Sequence, residues 1–546
     1  MPTPWPLLAG CKVPGWSRDK GGSASSPGAS ASARSSGTAK AKAGSTDWQE
    51  LDAHVMGHKV AVRVSPVIRK DETTSILALE LTRASDDASV DDINATAFSD
   101  NANKLNLSSY LGTPSIYRPG AGASGAKLLD LGSGRVWSAT DGSGQFLGVT
   151  PGEKVTSYLS FGKVDTDTVT VYVPMAGFTT VSVLEAEAAK KASINLDTAQ
   201  TELDKYPAAA TELAEPVAIE RYTRALDDST STKAGGKDVT VTLASDVTFA
   251  SDSADLAPGA EAQLQTVAGQ LNQYPDGGTL TIVGHTDDIQ DDAYNQTLSE
   301  KRANAVKTRL EQLTSLDKWT TTATGKGESE PKVKDTTDEA RAANRRVEIT
   351  LTPTGGATSA GNTATTTPSA RPTSNASLPA PKGQVAKGSE GVSVMTERAS
   401  DSNSMATIAL DQVIRTGGYL LGTLTCTVEQ GHTGGSLGTL LGDTENISSN
   451  QRDETNSVGS TTFATDGLTL ISGSDRLFPA DYRQVDIDAH IPLTELDISN
   501  RIKGKAVTTI CVVWPDPGGD TVILDHQGWS DGSYAFRLTD IPVKNG

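Results

Sequence analysis

Residues 353–391, PTGGATSAGNTATTTPSARPTSNASLPAPKGQVAKGSEG, hold almost no apolar bulk, so no hydrophobic core is expected to run through them. They interrupt a chain of 546 residues that is already too long for one core, and three or so domains with linkers are expected. As a flexible coil this segment would hold its ends on the order of 35 Å apart. Residues 19–46, DKGGSASSPGASASARSSGTAKAKAGST, are equally poor in apolar side chains and read as a disordered tether within residues 1–49.

On either side of these breaks the apolar residues alternate. Val60, Val62 and Val64, then Leu77, Leu79 and Leu81, then Val169, Val171 and Val173 recur with period two between polar turns, which predicts antiparallel strands and a β-sandwich-like domain over 50–184. Residues 392–546 repeat the pattern in TIALDQV, YLLGTLTCTV, TTICVVW and TVILDH, and form a second β-rich unit. Residues 185–236 are rich in Ala, Glu and Lys, read as a partly helical connector, and end at a boundary in STSTKAGG.

Residues 237–352 differ in kind. Val239, Val241 and Leu243 mark a strand, and Leu264, Val267, Ala268 and Leu271 keep helical spacing. GTLTIVG is a short buried strand, and Ala303, Val306, Leu310 and Leu313 form the inner stripe of a second helix. WTTTATG and RVEITL supply two more strands, giving βαβαββ, an α+β sandwich. The fold class expected is therefore multidomain: a central α+β sandwich flanked by two mainly-β domains.

Composition narrows the partners. A net charge of −19 and a sequence pI of about 4.8 exclude a general binder of nucleic acid or anionic membrane. Aromatics at 5% and plentiful Gly and Pro suit small β-rich domains better than a large enzyme core. HExxH, P-loop and Cys/His metal spacings are absent and the six His residues are scattered, so no metal, cofactor or catalytic group is expected. Cys426 and Cys511 both lie in strand patterns, compatible with one disulfide between them or with two buried free thiols. Leu8-Ala9-Gly10-Cys11 resembles a bacterial lipobox, although MPTPWPLLAG lacks the basic start and apolar run of a full signal. Either Met1 lies inside the real signal or the match is accidental; the tether that follows favours the first reading. No stretch approaches the ~18 apolar residues of a membrane span, so a membrane attachment would be a lipid on Cys11. An actinobacterial source is the expectation from composition.

One stretch places charge where no core needs it. In GTLTIVGHTDD, Asp287 emerges beyond a buried strand; Asp291 or Asp292 can cap the next helix, which carries Asn295 and Arg302 two turns apart on one face. A turn-forming Asp and a solvated Arg are the commonest readings of such residues. Held near one another on rigid elements, however, a carboxylate and a guanidinium suit a zwitterion: ammonium to Asp and carboxylate to Arg.

VTFASDSADL (247–256), GHTDDIQDDAYNQTLSEKRANAV (284–306), GKGESEP (325–331) and NRRVEITL (344–351) resemble, in order and spacing, the OmpA-like peptidoglycan-binding domain. The resemblance covers roughly residues 238–352, about a fifth of the chain, and rests on several blocks. It implies an OmpA-C-like fold and noncovalent, non-catalytic binding of peptidoglycan through the diaminopimelate of the stem peptide. Asp287 would take the ammonium of that amino acid and Arg302 its carboxylate. Thr286 and Asn295 match positions near the ligand, and Asp252 lies on the expected rim. Of Arg345 and Arg346, either one borders the site and one is structural, or both mainly brace the sheet. Gln290 stands where the family usually has Gly, so the turn after Asp287 is expected to be reshaped. His285 reads as a packing residue. An adhesin or receptor whose outer β domains bind another ligand is the alternative, with a cell-wall hydrolase behind it.

Overall fold

The computed structural model describes residues 42–93, 103–112, 122–140, 145–205, 215–250, 252–354, 378–396, 404–431, 437–442, 465–483, 490–494, 502–529 and 531–546. Cys11 and nearly all of the expected tether fall outside these residues.

The central domain is built on strands Asp238–Ala244, Arg346–Pro353, Gly278–Gly284 and Trp319–Gly325, in that spatial order. The last strand in sequence runs antiparallel to both its neighbours, and Gly278–Gly284 and Trp319–Gly325 are parallel. Along each central strand the residues alternate between a buried apolar face (Val241, Leu280, Ile282, Ile349, Leu351) and a half-exposed face carrying Thr240, Thr281 and Thr350. Helices Ala260–Leu271 and Asp292–Leu313 cover the apolar face with Leu264, Val267, Ala303, Val306 and Leu310.

Three features depart from βαβαββ, the first a single turn of helix, Ser245–Thr248, after the opening strand. A short helix, Asp338–Asn344, precedes the last strand, capped by Thr337, whose hydroxyl accepts from the Ala340 amide at 3.2 Å. The polar run Thr230–Gly235, read as a boundary, is a strand paired with Asp238–Ala244 and extends the central sheet. Its residues are all half-exposed, so no apolar alternation announces it.

The outer β regions also differ from the expected pair of separate sandwiches. Leu51, Val60, Leu79 and Val171 share one apolar cluster with Leu424, Val512, Trp514 and Leu538. The Thr509 hydroxyl accepts from the His54 amide at 3.3 Å, and the Ile93 carbonyl from the Lys503 amide at 2.8 Å. A Cβ on Gly57, whose φ is +87°, would lie 2.6 Å from Ile93 and 2.8 Å from Ala506, so the two regions close on each other there. The central core shares no residue with this cluster. The α+β domain is thus inserted between two stretches that complete one β body. Alternation signals a buried face but not what covers it, which is why sequence separated them.

The connector contains helix Leu196–Asp204 and strand Val217–Ala225. That strand pairs in turn with Arg135–Ser138, Asp481–Arg483, Thr230–Gly235 and Asp475–Leu477, which makes it the joint of the structure. At the far end of the expected linker, Gln384–Lys387 is already a strand, parallel to Phe536–Asn545.

The disulfide alternative is ruled out. Cys426 lies opposite Thr508 and Cys511 opposite Thr423 in one antiparallel pair, an odd offset that sends the two side chains to opposite faces of the sheet. Cys426 packs in the large outer cluster, while Cys511 packs with Tyr419, Leu421 and Val513; both are free buried thiols. No described helix is long and apolar enough to cross a membrane.

Candidate functional site

The strand Gly278–Gly284 ends where helix Asp292–Leu313 presses on the sheet. A Cβ on Gly284 would sit 2.2 Å from the Ser299 carbonyl oxygen, and one on its register partner Gly325 would sit 2.5 Å from the Glu300 amide. The paired glycines let the helix descend at Ser299, carrying Asn295 and Arg302 to the strand ends on its buried stripe. Asp291 starts the helix, its carboxylate accepting from the Tyr294 amide at 2.9 Å.

Asn295, 1% exposed, does not face outward. Its amide nitrogen donates to the carbonyls of Asp287 (3.1 Å) and Gln290 (3.0 Å) and to the Glu328 carboxylate (2.6 Å), which pins the 287–290 turn. Gln290 enters this through its backbone, so its side chain does not decide the bond. Thr286 donates its amide to the Gly327 carbonyl at 2.9 Å, while its buried hydroxyl has no partner among the described residues.

The charges form an ordered chain. Arg345 grips Asp246 with two nitrogens, at 2.7 and 2.6 Å, and donates its third to Asp287 at 2.7 Å. These bonds, Asp246 first, raise the Arg345 pKa. Arg341, from the short helix, holds Asp288 at 2.7 Å. Arg346 points elsewhere: it is buried, bonds Glu348 at 2.6 Å, and reaches the carbonyls of Asn344 and Glu330 at 3.3 Å.

Arg302 is the exception. Only 5% exposed, it lies with its guanidinium carbon 5.1 Å from the centre of the Phe249 ring, and its Nε donates to the Ser253 carbonyl at 3.0 Å. No carboxylate among the described residues lies within ion-pair distance of it. Burial lowers its pKa, against the pull of Asp246 and Asp252. Asp252 itself is exposed, in left-handed conformation at φ +49°, beside the Ser253 carbonyl that Arg302 uses. Ile289 and Tyr294 stand 63% and 41% exposed next to these elements.

His285 has both ring nitrogens buried without a partner among the described residues, and burial followed by the charge of Arg346 lowers its pKa to about 4. It is a packing ring with no nucleophile or carboxylate bonded to it among the described residues. Sequence reasoning missed Asp246, Arg341 and Glu328: each lies in a separate segment and reaches the site through a side-chain bond that only the folded chain brings together.

Residues 248–345 match the OmpA family. The central domain is an OmpA-like domain. Over 103 residues the chain is 43% identical to outer membrane porin F of Pseudomonas aeruginosa, which covers 19% of this chain and 29% of that protein. It is 35% identical over 119 residues to the probable lipoprotein YiaD of Escherichia coli, covering 22% and 53%. Among solved structures, the cell wall anchor of the T6SS from Pseudomonas aeruginosa aligns at 29% identity and a TM-score of 0.21, over 23% of this chain and 90% of that one. The chain thus spans about a third to a half of the curated relatives it matches.

Proposed function

We propose that the protein is a non-catalytic cell-wall anchor whose central domain binds peptidoglycan through the diaminopimelate of the stem peptide. The observation that carries this is Arg302: a buried guanidinium with no carboxylate in ion-pair contact among the described residues is costly, and it persists where a ligand supplies the anion. The ligand's carboxylate would bond the terminal nitrogens of Arg302. Its ammonium would bond Asp287, which Arg345 holds in place while Asp246 takes up most of the Arg345 charge. Asp252 would lie at the rim, and Ile289 and Tyr294 offer apolar surface for the methylene chain between the two charged ends. Thr286 has a buried hydroxyl to give, while Asn295 and Arg346 hold the frame rather than the ligand.

Two charge-assisted contacts contribute about 1.5–3 kcal/mol each before ordering costs, so a single stem binds weakly, on the order of micromolar to millimolar. The cell envelope is the place this reading requires, and a lipid on Cys11 would raise the effective concentration at the wall. Sedimentation of the full chain with diaminopimelate-type sacculi tests it, with lysine-type sacculi as control. Selective pelleting that Asp287→Ala and Arg302→Ala abolish is the expected result; equal pelleting with both wall types would overturn the diaminopimelate assignment, and none with either would overturn wall binding.

A further inference from the structure

We propose that Glu220, Asp481 and His490 form a binding site for a divalent transition cation of the zinc class, at the joint between the connector strand and the last β region. The three donors come from three adjacent antiparallel strands. Glu220 lies opposite Asp481, and Asp481 opposite Pro492, so His490, two residues before Pro492, projects from the same face. One ligand atom from each lies within 4.8 Å of the others, and the His490 Nε2 to Glu220 Oε2 separation is 2.8 Å. Asp481 and His490 are each 6% exposed, so the cluster is built into the body rather than scattered on its surface.

The neighbouring backbone makes room for this convergence. A Cβ on Gly235 would lie 2.6 Å from the Glu220 Cγ, and any larger residue there would push the carboxylate away from His490. The donor set suits the ion. Two carboxylates neutralise a divalent charge, a neutral imidazole adds the nitrogen that zinc favours and calcium does not, and three protein ligands leave a position open. Without metal, Lys233 supplies cationic charge: its Nζ stands 3.1 Å from Glu220 Oε2, and its side chain is 39% exposed, free to swing to solvent. Arg483, opposite His490 in register, is exposed on the same face. A bound cation would clamp Val217–Ala225 to Asp481–Arg483 and His490–Pro492, fixing the strand through which the chain enters the central domain.

The test uses the full chain, stripped with a chelator and dialysed against zinc chloride, with bound zinc counted by mass spectrometry and affinity read by chelator competition. One zinc per chain is expected. Glu220→Gln, Asp481→Asn and His490→Gln should each weaken it on the order of 100-fold, the upper end of what outer-shell losses alone cost. Lys233→Met removes the competing cation and should tighten zinc about two- to fivefold, the scale of one surface ion pair. This last variant separates the proposal from a purely structural ion network, which predicts a lower thermal midpoint and no tighter zinc, and it does so even where a ligand variant fails to fold. Zinc uptake unchanged in folded ligand variants, or a Lys233→Met protein that melts earlier without gaining affinity, would overturn the site. Pelleting with sacculi is expected to be unaffected, so this proposal stands or falls separately from wall binding.

Discussion

Replacing Arg302 with Met separates a ligand-binding arginine from a structural one by the sign of the effect on stability. In the folded protein the guanidinium gains a charge-assisted hydrogen bond to the Ser253 carbonyl, about 1.5–3 kcal/mol, and a ring contact with Phe249, about 0.5–2 kcal/mol. Against these stands the removal of a cation from water with no carboxylate in ion-pair contact among the described residues, only the longer-range pull of Asp246 and Asp252, several kcal/mol. Methionine fills similar volume, keeps contact with the ring and has no charge to desolvate. The free protein is therefore expected to stay within about 1 kcal/mol of the original or become more stable, with no fall in thermal midpoint beyond about 5 °C. Binding behaves oppositely. Loss of the contact to the ligand's carboxylate lowers affinity for diaminopimelate-type sacculi roughly 10- to 150-fold. Calorimetry and quantitative sedimentation on the same preparation read both. A variant destabilised by more than about 3 kcal/mol would show that Arg302 mainly holds the domain together, and the argument from its missing partner would fail.

Two further expectations concern buried titratable groups. His285 has a folded pKa of about 4 against an ordinary 6.5, so between those values the unfolded chain binds a proton that the folded one refuses. Its contribution is complete above about pH 6.5 and is lost as pH falls toward 4, by up to about 3 kcal/mol; His285→Phe should flatten that part of the stability profile in denaturant titrations. Cys426 and Cys511 are both pushed up to about 12 by burial, so neither should react with a thiol reagent in the native state and both should do so in denaturant. Melting curves with and without reductant should coincide.

The sequence made the central domain legible because its signals are local. Alternation set the strands, helical spacing set the stripe Ala303–Val306–Leu310, and a strand end followed by a capped helix placed Asp287 and Arg302 at one end of the sheet. What stayed hidden depends on pairing across distance. Asp246 and Arg345 are 99 residues apart, and Glu220 and His490 are 270 apart, with nothing in either neighbourhood to nominate the partner. The odd offset that separates Cys426 from Cys511 is a fact of register, which two strand-like patterns cannot supply. The shared outer core was hidden for the same reason: the central domain and a polar linker separate two apolar stretches in sequence but do not stop them from meeting in space.

The same distinction fixes where the central domain can be cut. By composition the natural start is Lys237, after the polar run, but the fold places that run inside the domain. The Ser229 carbonyl accepts from the Ala244 amide at 3.0 Å and from the buried Gln263 side chain at 3.2 Å, and Thr230–Gly235 covers the edge of Asp238–Ala244. At the other end Thr354 donates its amide to the Gly277 carbonyl at 2.9 Å. A fragment of residues 237–352 loses all of these. The Gln263 amide, 2% exposed, is left without its acceptor at a cost of about 1–3 kcal/mol, and Asp238–Ala244 becomes a bare edge open to pairing with a second chain. A fragment of residues 227–354 keeps the covering strand and all three bonds. The shorter piece should therefore unfold about 1–3 kcal/mol more easily in denaturant. Equal stability would mean that Thr230–Gly235 belongs energetically to the connector rather than to the central domain.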